Sequence, residues 1–271
     1  MQMHYLDEGE GRPLLMVHGN PTWSFYYRNL VQAFCGQYRC IAVDHIGCGL
    51  SEKSAVAEYT LDRRIDQLSN LVSQLDLNNI TLLVHDWGGA IGLGAALKDL
   101  HRYHRFVIFN TGAFPPPFFP WRIRVCRTPG VGRVALQGFN LFAKAAIYQA
   151  TEQRGGLSPE VKDGLLAPYD NWANRRAIYE FVRDIPTRSH QATWQTLASI
   201  ETGLAQLKDH PVKLIWGMKD WCFRPECLRK FQALLPHAKV CELAEAGHYV
   251  IEDQTARVID EVRSFLAESS P

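Results

Sequence analysis

The stretch ITLLVHDWGGAIGLGAA, residues 80–96, constrains this chain more than any other. An apolar run leads through one acidic residue, Asp86, into a segment built mostly of Gly and Ala. That order describes a buried strand turning sharply into a helix whose small side chains allow close approach. Such a turn strains the backbone and lifts the residue at its apex above the sheet edge. An Asp there is already ionised near neutral pH, so it needs no base to become a nucleophile. The plainer reading is a carboxylate that only caps the following helix. It would predict no matching chemistry at other strand ends, and such chemistry is present.

The rest of the chain supplies the sheet. Pro13–His18, Cys40–Asp44 and Phe106–Asn110 are nearly continuous apolar runs, as expected of parallel strands covered on both faces. Leu61, Ile65, Leu68, Val72 and Leu75 recur at helical spacing, with Thr60 placed to cap that helix. Val212–Trp216 and Lys239–Leu243 resume the strand pattern, and Val258, Ile259, Val262, Phe265 and Leu266 mark a last helix. This βαβ rhythm predicts an α/β fold with a mostly parallel central sheet flanked by helices. The rhythm breaks after FPPPFFPW, so residues 1–112 and 211–271 are expected to form the core and residues 113–210 an inserted helical cap. Within the cap, Arg122, Arg124, Arg127 and Arg133 form a local basic run. It reads as a solvated helix face ahead of an anion- or lipid-facing patch.

Composition narrows the function classes. The 271 residues carry 29 Lys and Arg against 28 Asp and Glu, too balanced for a nucleic-acid binder. Hydrophobic residues make up 46%, enough to build a core and to exclude disorder. No run approaches the roughly 18 apolar residues of a membrane span. The acidic start, MQMHYLDEGEGR, does not read as a signal peptide. Seven cysteines without a CxxC pair read as reduced thiols in a cytoplasmic protein, with no metal and no cofactor expected.

Four further motifs fall after predicted strands. They are HGNPTW from His18, DHIGCGLS from Asp44, GMKD ending at Asp220, and AGHY containing His248. Asp86, Asp220 and His248 follow the chain order nucleophile, acid, histidine that is found in α/β-hydrolases. Together with HDWGG these motifs resemble the haloalkane dehalogenases. The resemblance runs from about Met3 to Leu266 and implies an α/β-hydrolase fold with a cap. It implies that Asp86 displaces a halide to form an alkyl ester, that His248 activates the water that hydrolyses it, and that Asp220 orients His248. Asn20 and Trp87 would hold the halide with their side chains and the oxyanion with their backbone N–H groups. Asn110 stands where one dehalogenase subgroup keeps its acid, so that role passes to Asp220. His18, His85, Asp44 and His45 read as structural.

Partners implied are a small apolar halogenated or lactone substrate, water and a halide product. A second reading is a β-lactone decarboxylase, a family with nearly the same turn, Asn and cap, giving an alkene and carbon dioxide. A third is an epoxide hydrolase, which would need donors such as Tyr148, Tyr169 or Tyr179. The absence of a Ser at the turn speaks against an ordinary serine esterase, and a non-catalytic receptor use would leave the motif set damaged. Trp121, Trp172, Trp194 and Trp221 are candidates for the pocket wall. Met3–Glu8 reads as the second strand of the usual sheet, so an edge would be open and a homo-oligomer contact could cover it.

Overall fold

The computed structural model describes residues 1–128 and 130–268. Among these residues the strands are β1 (Tyr5–Glu8), β2 (Pro13–Val17), β3 (Arg39–Val43), β4 (Ile80–Asp86), β5 (Tyr103–Thr111), β6 (Val212–Gly217) and β7 (Lys239–Leu243). They form one sheet in the order β1-β3-β2-β4-β5-β6-β7, parallel except where β1 meets β3. The helices that frame it are α1 (Arg28–Phe34), α2 (Leu61–Gln74) and α3 (Trp87–Lys98), followed in the insertion by α4 (Trp121–Cys126), α5 (Leu141–Gln149), α6 (Pro159–Leu166) and α7 (Arg176–Asp184). The chain ends with α8 (Ala192–Gly203), α9 (Pro225–Leu234) and α10 (Thr255–Ala267).

The uninterrupted apolar runs have a simple cause. Every residue of β2 and β4 is buried, because helices cover both faces of the sheet. Successive side chains alternate between two cores. Leu15, Val17, Leu82 and Val84 pack with α2 and α3, whereas Leu14, Met16 and Leu83 pack with α1 and α10. The apolar stripe of α2 is buried as its periodicity predicts, each Leu or Ile stabilising the fold by roughly 1.5–3 kcal/mol. Glycines bring α3 down onto the sheet: a Cβ on Gly88 would strike the Val17 carbonyl, and one on Gly89 the Thr111 hydroxyl.

One local expectation changes. Thr60 precedes α2 but makes no side-chain cap. The first free N–H of the helix, on Leu61, instead donates to Asp184 Oδ2 at 2.7 Å, from the far end of the insertion. Ile200 and Leu204, at α8 and just beyond it, belong to the core beside α3, where Ile200 and Ile65 crowd Gly94. Ala177 and Phe181 of α7 belong to the same core, so the later half of the insertion packs against the helices on that face of the sheet. At the other side of the sheet, β1 is the edge strand, half-buried to exposed. It is tied down by a bidentate Arg39–Asp7 pair and by the His4 carbonyl, which accepts from Asp44 N at 2.9 Å.

Asp184 also accepts from Thr193 Oγ1 at 2.7 Å, so it joins the cap, α2 and α8. Asp184→Ala is expected to lower stability by about 1–2 kcal/mol, the range for a lost helix cap. A urea titration should show the lower midpoint at unchanged slope, and an unchanged midpoint would contradict this role.

Candidate active site

The site forms where the C-terminal ends of β2, β4, β6 and β7 meet the underside of the insertion. Asp86 sits at the apex after β4 with φ 52° and ψ −131°, a left-handed backbone conformation that side-chain-bearing residues rarely adopt. The turn is fastened by the Thr111 hydroxyl, which donates to the Asp86 carbonyl. Gly19 leaves room above it, since a Cβ there would collide with the Asp86 carboxylate. That carboxylate is held on one side by Asn20 N, which donates to Oδ1 at 2.6 Å.

On its other side stands His248. Its Nε2 lies 3.5 Å from Asp86 Oδ2, and its Nδ1 donates to Asp220 Oδ2 at 2.8 Å. Asp220 is buried and accepts three further hydrogen bonds. Cys222 N and Phe223 N donate to its Oδ1 at 2.6 and 3.0 Å, and Asn110 Nδ2 donates to its Oδ2 at 3.0 Å. Asn110 is itself fixed by Gly217, giving to its carbonyl at 2.9 Å and accepting from its N–H at 2.7 Å. So the residue at the alternative acid position braces the acid that is present.

These contacts set the charges. Burial alone would lower the His248 pKa, but the Asp220 charge and hydrogen bond, with Asp86 beyond, outweigh it and raise it to about 10. For Asp220, burial pushes upward, while the His248 charge and the donated hydrogen bonds prevail and hold it below the usual carboxylate range. The resting site is therefore an imidazolium between two carboxylates. A neutral His248 able to act as a base would require Asp86 to lose its charge first, as it does once esterified.

The neighbouring histidines behave structurally. His85 Nε2 pairs with the His248 carbonyl at 2.8 Å, and burial, then the His248 charge, lower its pKa to about 3. His18 accepts from His45 N at 3.0 Å, while Asp44 accepts from Ser24 N and Leu50 N at 2.7 and 2.9 Å to shape the loop after β3.

Two apolar cavities meet above Asp86. The first, about 840 Å³ of empty space counted out to open solvent, runs past Trp87, Phe114, Pro117, Phe119 and Phe223. The second, about 1180 Å³, runs past Trp121, Leu136, Ala145, Trp221 and His248. Asn20, Asp86, Ile123, Phe142 and Cys222 line both, which marks the junction. Among the described residues the Trp87 indole N–H has no protein partner, so it is free for a ligand. Asn20 Nδ2 donates to the Ile178 carbonyl at 3.2 Å, leaving one amide hydrogen for the cavity. Of the four candidate tryptophans, Trp121 and Trp221 line a cavity, whereas Trp172 and Trp194 line neither. Tyr148, Tyr169 and Tyr179 also line neither. Tyr169 donates instead to the Thr22 carbonyl at 3.1 Å, so none of the three lines the junction where an epoxide hydrolase would need a donor. No sequence motif marks Cys222 at the junction or the bracing role of Asn110. Cys222 follows Asp220 by two residues, and that proximity was the only signal for it.

The family profile for the alpha/beta hydrolase fold matches residues 12–255. A cis-3-alkyl-4-alkyloxetan-2-one decarboxylase of Shewanella oneidensis is 42% identical over 99% of this chain and 86% of its own length. Its counterpart in Xanthomonas campestris is 39% identical over 97% and 92%. Haloalkane dehalogenase 2 of Mycobacterium tuberculosis is 34% identical over 95% and 88%. Among solved structures, haloalkane dehalogenase DatA of Agrobacterium tumefaciens superposes with a TM-score of 0.87 at 27% identity, over 98% of this chain and 92% of that one.

The charge assignment is directly measurable. Nitrogen-15 NMR of histidine-labelled protein should show His248 protonated through neutral pH, losing its proton only near pH 10. Because the folded pKa is raised, the protonated form is the one that persists at neutral pH. A titration between pH 6 and 7 would contradict the geometry described.

Proposed function

The chain belongs to the alpha/beta hydrolase fold family, in the branch shared by haloalkane dehalogenases and cis-3-alkyl-4-alkyloxetan-2-one decarboxylases, and from that premise we propose that it decarboxylates cis-dialkyl β-lactones to alkenes. The observation that carries this reading is the pair of apolar limbs meeting at one carboxylate. A four-membered lactone with alkyl groups on adjacent carbons needs that shape: a reactive ring at the junction and a chain in each limb. A short haloalkane would need one limb only. The identities of 42% and 39% to decarboxylases, against 34% to a dehalogenase, support the same choice.

The chemistry follows from the residues. Asp86 attacks the ring carbon that bears oxygen, C4, from the face opposite that oxygen. The C4–O bond breaks with inversion, and the oxygen leaves as a carboxylate still attached to C3. The product of this step is an alkyl ester of Asp86. The C3–carboxylate bond then breaks, its electron pair forms the C3=C4 double bond, and the C4–O bond to Asp86 breaks. Carbon dioxide and alkene depart, and Asp86 regains its carboxylate. Inversion followed by anti elimination turns a cis lactone into a cis alkene. No proton and no water is consumed.

His248 has a matching role. As an imidazolium 3.5 Å from Asp86 it stabilises the carboxylate released in the first step and the one restored in the second. Asp220, braced by Asn110, fixes its orientation. The free N–H of Trp87 and the spare amide hydrogen of Asn20 are placed to bind the lactone carboxylate where a dehalogenase would bind halide. The same donors leave haloalkane hydrolysis as a second reading, with His248 acting as base once Asp86 is esterified. The seven unpaired cysteines fit a reducing, cytoplasmic setting for either reaction.

Wild-type protein given a cis-3,4-dialkyl β-lactone is expected to release alkene and carbon dioxide in equal amounts, measured by headspace gas chromatography. Asp86→Asn should lower the rate by roughly 10³-fold or more, as for loss of a covalent nucleophile. Formation of the β-hydroxy acid in place of alkene would sink the reading.

A further inference from the structure

The cap carries a surface that neither catalytic reading uses. From Gly112 to Thr151 the chain has five basic residues, Arg122, Arg124, Arg127, Arg133 and Lys144, and no acidic one. The formal charge of the whole chain is only +1, so the rest is net acidic and the cations are concentrated here. None of the five forms an ion pair among the described residues. Arg127 is half-buried, with its guanidinium on the Ile185 carbonyl, and the other four are exposed.

Large apolar side chains are exposed on the same stretch of chain. Trp121 is 71% exposed, Val125 56%, Val131 64% and Leu141 50%. These four residues also line the second cavity, together with Arg122. They are at once outer surface and cavity wall, so the cavity opens on this face and the apolar side chains rim its mouth. Arg122 lies over the Trp221 ring, 5.1 Å from its centroid, at the same mouth.

We propose that this face docks on an anionic lipid surface, with the mouth of the second cavity turned toward the acyl chains. Charge decides the occupant. Exposed Trp, Val and Leu among unpaired Arg and Lys match a layer that offers hydrocarbon beneath negative headgroups. No described helix is long and apolar enough to cross a membrane, so the attachment is peripheral. An apolar ligand partitions into lipid, and a mouth set there takes it up without passage through water. The inference needs only that the cavity is apolar, and it stands apart from whether the ligand is a lactone or a haloalkane.

Cosedimentation with vesicles of phosphatidylcholine, with and without phosphatidylglycerol, tests it on the full chain. Wild-type protein is expected to bind the phosphatidylglycerol vesicles and to be released by salt. Arg124→Gln with Arg133→Gln should weaken binding by about fivefold per cation, the effect of one basic side chain near an anionic surface. Trp121→Ser with Val125→Ser should weaken binding as well, and a thermal melt of each variant checks that it is folded. The proposal is overturned if wild-type protein ignores anionic vesicles at low salt, or if folded variants bind as it does. It is also overturned if ultracentrifugation shows a dimer that Trp121→Ser with Val125→Ser dissolves, which would assign the face to a second copy. None of these readouts uses turnover, so failure of the decarboxylase reading would leave them unaffected.

Discussion

The backbone turn at Asp86 is the constraint on which the rest of the site depends. A positive φ at a residue with a side chain costs on the order of 1–3 kcal/mol, and the surroundings must over-determine it. Here Gly88 and Gly89 seat α3 against β2 and β5, Thr111 fastens the Asp86 carbonyl, and Gly19 clears the space above. The same turn aims the carboxylate at Asn20 N on one side and His248 on the other. A relaxed turn would lower the side chain toward the sheet and leave His248 with only Asp220.

In the proposed role of Asp86, one scaffold would serve two chemistries. A carboxylate that attacks saturated carbon gives the same kind of ester from a haloalkane or from C4 of a lactone. What differs is the fate of the ester. With a haloalkane, loss of the Asp86 charge lowers the His248 pKa, and the imidazole becomes a base for water. With a lactone, the ester carries a neighbouring carboxylate that can leave as carbon dioxide before water acts. The apolar walls of both limbs disfavour water at the junction and so favour the second course.

Much of this was legible in the sequence because burial on both faces of a parallel sheet leaves an unmistakable apolar run. The strands at Pro13, Ile80 and Val212 follow from that alone, and the motifs after them converge because the strands are parallel. That Asp86, Asp220 and His248 come together was legible from their order and from the glycines around the turn. The helix cap on α2 was not legible, since Asp184 lies 123 positions from Leu61 and no local pattern joins them. The two limbs were not legible either, because a cavity is the space between distant elements. The direction of the His248 charge needed distances, as it depends on Asp86 and Asp220 flanking one ring.

The central claim is that Asp86 is returned as a leaving group and not by hydrolysis. Turnover of the lactone in oxygen-18 water, followed by mass analysis of the peptide containing Asp86, tests it most directly. Hydrolysis of an Asp86 ester places a water oxygen in the Asp86 carboxylate, whereas elimination leaves that carboxylate unlabelled. The account predicts many turnovers to alkene with no oxygen-18 at Asp86. Labelled Asp86 appearing in step with product would contradict it.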